Sequence, residues 1–320
     1  MSDLVFYAAV CSDVGNGRGN NEDHFSLLGQ TLPPEDEHGR CEKRSAVVGR
    51  GVLAVFDGMG GQASGEVASR AAAELVGDYA EDLLSLDPQA VSDFTRAANE
   101  AVCRQAPGGG ATMALCAIEQ GECLVANLGD SRVYLLRGRK LYRLSEDHTT
   151  TAQLVKMQLL TEEEAASDKR RHQLTQHLGV PAEEMQVQAH IPQGFTLELN
   201  DRLLLCSDGV TDALSDADLE TLLAQETSCG KMAGGIVDSA MLAGSPDNAT
   251  ALVVKVGRRK SAGGGQRRTA QTAPAARSPQ AVQEAQESRD RKNKLFWGAV
   301  WALGGALALV WGAILALLVG

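Results

Sequence analysis

Residues 111–143 read ATMALCAIEQGECLVANLGDSRVYLLRGRKLYR, and this stretch is the main indication of the fold class. Its apolar and alternating runs predict four strands in direct succession, at 111–119, 122–128, 132–137 and 140–143. No helical spacing separates them, which excludes a regular alternation of strands and helices. Strands that follow one another in this way favour an α+β fold, in which helices cover antiparallel sheets.

The flanking sequence continues this pattern in both directions. Further strands are predicted near 4–11, 24–28, 52–57, 185–191, 202–206 and 249–256. The spacing of apolar residues predicts helices near 62–84, 89–105, 150–157, 161–167, 216–225 and 230–243. Residues 30–50 are interpreted as a surface excursion. Because no linker-like stretch interrupts residues 1–257, we expect one domain there.

Charge divides the chain into parts. Residues 1–257 contain 20 basic and 38 acidic side chains, whereas residues 258–294 contain 10 basic and 3 acidic ones. An acidic body repels a polyanion, so nucleic acid is not expected as a partner. The seven cysteines form no CxxC pair, which indicates free thiols in a reducing cytosol and no zinc site. Residues 258–294 lack apolar periodicity and are predicted to form a disordered basic linker.

The last part of the chain predicts a membrane anchor. Residues 295–319 are 25 uncharged, mostly apolar residues. As a helix they would extend roughly 37 Å, enough to cross a hydrocarbon core of about 30 Å. Small residues four positions apart leave weak homodimerisation through this helix open. Basic residues just before the segment predict a tail-anchored protein with its body in the cytoplasm, and these are Arg289, Arg291, Lys292 and Lys294.

Five aspartates stand in turn-like settings at or near the ends of predicted strands, and they are Asp23, Asp57, Asp130, Asp208 and Asp247. Several adjoin glycines, which let the backbone approach closely. Carboxylate oxygens with few bulky neighbours are the ligands that a hard divalent cation requires. The pattern therefore indicates a metal-dependent hydrolase.

The short motifs around these aspartates follow a definite order within residues 4–256. The order is SDVG at 12–15, RGNNED at 18–23, DGMGG at 57–61, GAT at 110–112, GDSR at 129–132, DHT at 147–149, SDGVTD at 207–212 and DNAT at 247–250. In this order of motifs the chain resembles the metal-dependent protein Ser/Thr phosphatases of the 2C type, especially their bacterial branch. The resemblance implies an antiparallel β-sandwich flanked by helices, with layers in the order α-β-β-α.

The resemblance also assigns the site residues. It implies two divalent cations, Mn²⁺ or Mg²⁺, and a weaker third cation. Asp57 would be shared by the two cations as a catalytic residue, and Arg18 would grip the substrate phosphate. Arginine suits this task because its planar guanidinium binds phosphoryl oxygens in pairs. The other implied metal ligands are the Gly58 carbonyl, Asp208, Asp247 and, through water, Glu22 and Asp23, with Asp130 and Asp212 at the third cation.

Histidines near the predicted site leave the proton donor open. Met59 occupies the position where animal relatives of the family carry a histidine thought to protonate the leaving group. His148 either replaces that histidine or fixes a loop by hydrogen bonds. His172 and His177 lie in residues 152–179, which resemble the mobile flap beside the family's active site, and neither is assigned a role.

Three functions are compared on these grounds. The leading hypothesis is a Ser/Thr phosphatase that acts on phosphorylated proteins and opposes a bacterial kinase, held at the inner membrane with its phosphatase domain in the cytoplasm. The second is a catalytically silent scaffold that binds phosphoproteins, which loss of a bridging aspartate or of Arg18 would favour. The third is a phosphatase of sigma-factor regulators, a group that generally lacks the phosphate-binding arginine and the flap.

Overall fold

The computed structural model describes residues 4–33, 36–45, 48–60 and 64–259. The strands in these residues are β1 Leu4–Asp13, β2 Asp23–Leu27, β3 Arg40–Arg44, β4 Arg50–Met59, β5 Gly110–Ala111, β6 Met113–Glu119, β7 Glu122–Leu128, β8 Arg132–Arg137, β9 Lys140–Arg143, β10 Phe195–Thr196, β11 Arg202–Cys206 and β12 Ala249–Arg258. The helices in the same residues are α1 Ser64–Leu75, α2 Ala80–Leu83, α3 Pro88–Gln105, α4 Thr150–Lys156, α5 Glu162–Ser167, α6 Asp208–Thr211, α7 Asp216–Leu223 and α8 Cys229–Leu242. The succession of strands predicted from residues 111–143 is confirmed.

That stretch forms two hairpins, which belong to different sheets. β6 and β7 are joined by Gln120 and Gly121, whose positive φ angles of 52° and 91° suit a two-residue hairpin turn. β8 and β9 form the second hairpin. Between the hairpins, Gly129, Asp130 and Ser131 carry the chain from one sheet to the other. The GDSR motif therefore lies at the edge of the sandwich, where the chain changes sheets.

Two antiparallel sheets pack face to face. One has the strand order β3-β1-β12-β11-β8-β9, and the other has the order β10-β7-β6-β4-β2 with β5 paired to β4. Successive residues of a strand face opposite sides. In β4, Leu53 and Val55 enter the core between the sheets, whereas Val52, Ala54 and Phe56 pack toward α1 and α3. Helices α7 and α8 cover the outer face of the first sheet, so the predicted α-β-β-α layers are confirmed.

The predicted strand at 185–191 is wrong. In this segment the structure shows an isolated bridge between Asn127 and His190 and no strand. The alternation in the sequence arises because Val187, Ala189 and Ile191 pack against the core beneath α1 and α3. An extended segment with one face on a core has the same period of two as a paired strand.

Two further predictions need correction. The predicted helix at 62–84 is divided after α1, with Gly77 in the turn before α2. Glycine is a weak helix former, and the ring of Tyr79 in this turn packs edge-on against Phe94, with 5.7 Å between centroids. The excursion at 30–50 contains β3, which pairs with β1 at the margin of its sheet. Its charged sequence RCEKR concealed this strand, although charged side chains are common on sheet edges.

The predicted membrane anchor at 295–319 lies outside the described residues, as does the predicted linker apart from residues 258 and 259. Within the part of the chain that the structure describes, none of the helices has the length and apolar character needed to cross a membrane. The anchor and the linker therefore remain predictions from the sequence.

Candidate active site

One cleft at the edge of the sandwich gathers eight of the nine predicted site residues. Its volume is about 1870 Å³, and its lining includes Arg18, Glu22, Asp57, Gly58, Asp130, Asp208, Asp212 and Asp247. They are supplied by β4, by α6 and the residue after it, and by the loops that precede β2, β8 and β12. The ninth residue, Asp23, is not part of the lining and is only 1% exposed.

Strand pairing brings four of these aspartates together. Asp23 of β2 stands opposite Asp57 of β4 in the register of one sheet. In the other sheet, β11 pairs with β8, so that Asp208, just after β11, lies near Asp130, just before β8. Carboxylate oxygens of Asp130 and Asp208 lie within 4.8 Å of each other and of a ring nitrogen of His172. We call Asp23, Asp57, Asp130 and Asp208 the acidic cluster.

The electrostatics of the acidic cluster are unfavourable without a bound cation or proton. Burial, followed by the charges of Asp208, Asp23 and Asp130, raises the pKa of Asp57 well above its usual range. Burial is also the main cause that raises the pKa of Asp23 to about 7 and that of Asp130 to about 8. Within the described residues, no arginine or lysine forms an ion pair with any member of the cluster. Grouped carboxylate oxygens in an open cleft are the donor set of a hard divalent cation, so these residues fit such a metal.

Arg18 lies at the rim of the cleft with 47% of its side chain exposed. Its Nη2 donates to Asp247 Oδ2 at 2.7 Å, and its Nη1 lies 3.7 Å from Glu22 Oε2. Because a guanidinium carries five N–H donors, these two contacts orient the group and leave further donors for a ligand in the cleft.

Asn248 ties the loop that carries Arg18 to the loop before β12. Its side-chain oxygen accepts from the Glu22 N–H at 2.8 Å, and its Nδ2 donates to the carbonyls of Val14 and Asn20 at 2.8 and 3.1 Å. This one buried amide therefore fixes both ends of the segment that contains Arg18.

Close backbone contact and hydroxyl groups support the aspartates. A Cβ atom at Gly58 would lie 2.2 Å from the carbonyl oxygen of Gly65, so only glycine fits beside α1. Thr112 Oγ1 accepts from the Asp57 N–H at 3.1 Å, and Ser207 Oγ donates to Asp23 Oδ2 at 2.7 Å. Sequence reasoning gave the two hydroxyls no role, although both belong to motifs that the resemblance singled out.

Of the three histidines named near the predicted site, one fixes a loop and another faces the carboxylates. His148 Nδ1 accepts from the Gly129 N–H at 3.1 Å, which confirms the interpretation that this side chain fixes a loop. His172 has its Nε2 3.5 Å from Asp212 Oδ2 and its Nδ1 3.9 Å from Asp208 Oδ2. No local motif marks His172, since its proximity depends on how residues 152–179 return to the cleft.

The fold and the cleft agree with comparisons to known proteins. The sequence profile of the family described as "Protein phosphatase 2C" matches residues 26–234. The chain belongs to the protein phosphatase 2C family. A serine/threonine phosphatase, stp, from Listeria welshimeri is 30% identical over 215 residues, which are 64% of this chain and 84% of that protein. The serine/threonine protein phosphatase PstP from Mycobacterium tuberculosis is 32% identical over 266 residues, 79% of this chain and 45% of PstP.

Solved structures of the family member PstP are also similar to this chain. The crystal structure of the M. tuberculosis phosphatase PstP/Ppp matches with a TM-score of 0.65 and 29% identity, covering 78% of this chain and 98% of that one. The PstP catalytic domain in complex with two manganese ions matches with a TM-score of 0.64 and 28% identity, covering 79% of this chain and 99% of that one. The predicted enzyme class, a metal-dependent protein serine/threonine phosphatase, is confirmed.

Proposed function

We propose that the chain hydrolyses phosphoserine and phosphothreonine in proteins at this cleft, with two divalent cations, Mn²⁺ or Mg²⁺, held by its carboxylates. The observation that carries the proposal is the acidic cluster, whose pKa values are raised and which has no paired arginine or lysine within the described residues. The names of the Stp and PstP relatives support the substrate class, and the PstP structure with two manganese ions supports the number of cations.

Each predicted residue has a part in this proposal. Asp57 would hold both cations, because it adjoins the other members of the acidic cluster. The Gly58 carbonyl, Asp208 and Asp247 would be the remaining ligands, Glu22 and Asp23 would act through water, and Asp130 and Asp212 would hold a weaker third cation. When bound, such cations neutralise phosphate charge and lower the pKa of water in the site.

In this proposal a side chain of the protein, Arg18, binds the substrate phosphate. Arg18 offers a permanently charged fork, and Asp247 fixes one of its nitrogens at 2.7 Å. The free donors of the fork bind phosphoryl oxygens and orient the phosphorus toward the carboxylates. Met59 carries no proton to give, and His148 is not among the residues that line the cleft, so neither is the proton donor of this proposal.

The test is hydrolysis of a phosphothreonine peptide by the full-length chain in EDTA, in Mg²⁺ and in Mn²⁺. We expect turnover that requires a cation and that falls by about 100-fold or more in Asp57→Asn and in Asp208→Asn. Asp82→Asn, a change at an exposed aspartate of α2, is the matched control and should retain full activity. A folded wild-type chain that binds cations and yet shows no turnover would favour the silent phosphoprotein-binding scaffold over the enzyme.

The same proposal includes a site of action at the inner membrane, with the phosphatase domain in the cytoplasm. Its support is the uncharged segment 295–319 and the basic residues before it. The substrates would then be phosphoproteins near the membrane, and the chain would oppose a Ser/Thr kinase there, as a weak homodimer if the anchor helices pair. Cell fractionation of the full-length chain against a variant with two arginines in the segment tests this. Equal distribution of the two would contradict the anchor.

A further inference from the structure

We propose that Arg70 of α1 is a positioning residue that fixes the segment from Arg18 to Asp23. This inference rests on the proposed function, since it concerns how the phosphate-binding arginine and the nearby acidic residues are held. Arg70 does not line the cleft, and its side chain is 31% exposed. It acts through hydrogen bonds that run along three separate routes into this segment.

The first route passes through a carboxylate. Arg70 Nη2 donates to Glu66 Oε1 at 2.7 Å, and Glu66 Oε2 accepts from Asn20 Nδ2 at 3.0 Å. Each oxygen of Glu66 thus has one partner, and the carboxylate transmits the position of the guanidinium to the side chain of Asn20.

The second route passes through the loop before β3. Arg70 Nη2 also donates to the carboxylate of Glu37, which is a largely buried residue. The backbone carbonyl of Glu37 accepts from the Asn21 N–H at 2.8 Å. Holding the Glu37 side chain therefore holds the acceptor for the backbone of Asn21.

The third route is a chain of side-chain hydrogen bonds with a fixed direction. Arg70 Nε lies 3.5 Å from His24 Nε2, and because a guanidinium can only donate, Nε2 is the acceptor. The ring proton is then on Nδ1, which lies 3.2 Å from Ser69 Oγ, and Ser69 Oγ donates to the Glu22 carbonyl at 2.5 Å. The same carbonyl also accepts from the Gly58 N–H at 3.0 Å.

The three routes end on three successive residues, at the Asn20 side chain, the Asn21 N–H and the Glu22 carbonyl. These residues separate Arg18 from Asp23, so the routes fix the backbone between the phosphate-binding arginine and the buried aspartate. A guanidinium supplies all three because its donors lie on separate nitrogens of a planar fork, whereas the three donors of a lysine ammonium share one nitrogen and reach fewer of these partners. Supporting hydrogen bonds of this kind typically change metal affinity or activity when they are removed.

The experiment compares Arg70→Lys with Arg137→Lys in the full-length chain. Arg137 is a matched control, since it is 32% exposed and binds Asp201, Glu198 and the Thr196 carbonyl. It lies at the far end of β8 from Asp130. We expect both variants to lower the melting temperature to a similar extent. Only Arg70→Lys should lower kcat/KM for the phosphothreonine peptide, by about 10-fold to 100-fold at saturating Mn²⁺.

Two further measurements make the result specific. Combined with Arg18→Ala, the Arg70→Lys change should have much less effect than it has alone, because it acts through a side chain that is then absent. Should Arg70→Lys fail to fold, Glu66→Gln replaces it, since the amide has the same shape but pairs more weakly with the guanidinium. Equal kcat/KM in Arg70→Lys and Arg137→Lys, or strictly additive effects with Arg18→Ala, would overturn the inference.

Mn²⁺ affinity measured by calorimetry separates failure of this inference from failure of the proposed function. Arg70→Lys should weaken Mn²⁺ binding about 10-fold relative to Arg137→Lys, whether or not the chain turns over the peptide. An inactive wild type that binds Mn²⁺ would count against the phosphatase alone. An active wild type whose Mn²⁺ affinity and kcat/KM are unchanged by Arg70→Lys would count against the positioning role alone.

Discussion

Two sets of charged side chains meet near the start of β8, and their charge balance is opposite. Asp130, two residues before β8, belongs to the acidic cluster, where burial and like charges raise the pKa of each carboxyl. Asp147 instead accepts from Arg132 Nε and Nη2 at 3.1 and 2.7 Å and also pairs with Arg143. Burial alone would raise the pKa of Asp147, but the two arginines lower it below its usual value.

The difference separates a binding site from a structural ion pair. We call Arg132, Asp147 and Arg143 the ion-pair network. The negative charge of Asp147 is compensated inside the protein by the two arginines, so this carboxylate contributes to the folded state and needs no cation. The acidic cluster has the same side-chain chemistry without the arginines, so its compensation has to come from outside.

The largest expected effect is on stability against pH in EDTA. A carboxyl whose folded pKa is raised stabilises the protein below its unfolded pKa, near 4, and this contribution is lost as pH rises through the folded pKa. That pKa is about 7 for Asp23 and about 8 for Asp130. Taken together, the two carboxyls lead us to expect that the free energy of unfolding falls by several kcal/mol, on the order of 6, between pH 5 and pH 8.5, measured by urea titration.

Saturating Mn²⁺ should remove this fall, because the cation replaces protons on the acidic cluster. Asp57→Asn supplies the control, since a neutral side chain at the centre of the cluster should reduce the pH dependence in EDTA. Stability that is independent of pH in EDTA would contradict the description of the cluster as uncompensated.

The second prediction concerns the ion-pair network. Asp147→Asn leaves two partly buried arginines without their carboxylate, and we expect a loss of about 3 kcal/mol in the free energy of unfolding. In the wild type, the pH dependence that Asp147 contributes has the opposite sign. A carboxyl whose folded pKa is lowered stabilises the protein above its unfolded pKa, near 4, and this contribution is lost as pH falls through the folded pKa. Asp93→Asn, which breaks an exposed pair with Arg96, should change stability by less than about 0.5 kcal/mol. Similar losses in the two variants would contradict the contrast.

The contrast also explains how much could be read from the sequence. The order of short motifs identified eight residues that line the cleft and the buried Asp23, because those motifs depend on local features such as a glycine beside a strand end. The strand succession at 111–143 predicted antiparallel sheets covered by helices for a similar local reason, whereas the sandwich was implied by the resemblance. Which aspartates are compensated by arginine was not readable, because Asp147 and its partner Arg132 are 15 residues apart and meet only through folding.

The same limit applies to His172 and Arg70. His172 reaches Asp212 from a different segment of the chain, and no spacing in the sequence predicts that approach. Arg70 reaches Glu37 across 33 positions, and its pattern on α1 is that of an ordinary half-exposed helix residue. The prediction of a strand at 185–191 was wrong because alternation in the sequence indicates that one face is buried and does not indicate a partner strand.

The third prediction concerns Arg18, which keeps hydrogen-bond donors free for a ligand, in contrast to the arginines of the ion-pair network. Arg18 is largely exposed and shares its donors with the cleft, so Arg18→Lys should leave the free energy of unfolding unchanged within about 0.5 kcal/mol. It should lower kcat/KM for a phosphothreonine peptide about 10-fold, or about 1.4 kcal/mol, because an ammonium cannot bind two phosphoryl oxygens in a fork. Arg96→Lys on α3 is the exposed control and should change neither quantity. A loss of stability in Arg18→Lys without a loss of kcat/KM would assign this arginine to the structure instead of the substrate.

The smallest expected effect concerns Asp23, the one predicted ligand that does not line the cleft. Ser207 Oγ donates to its carboxylate at 2.7 Å and accepts from the Thr250 N–H at 3.0 Å. Ser207→Ala should cost about 1 kcal/mol of stability, because the buried N–H loses its acceptor. It should also raise the pKa of Asp23 further, because a hydrogen bond to the charged form is lost.

If Asp23 binds a cation through water, the Mn²⁺ concentration for half-maximal activity should then rise a few-fold while kcat at saturation stays the same. Ser92→Ala, which removes a hydroxyl bonded within α3, is the control and should leave the Mn²⁺ requirement unchanged. An unchanged Mn²⁺ requirement in Ser207→Ala, with the stability loss present, would make Asp23 a structural partner of Ser207. Asp23 would then have a structural role within the acidic cluster, and cation binding by the cluster would depend on Asp57, Asp130 and Asp208.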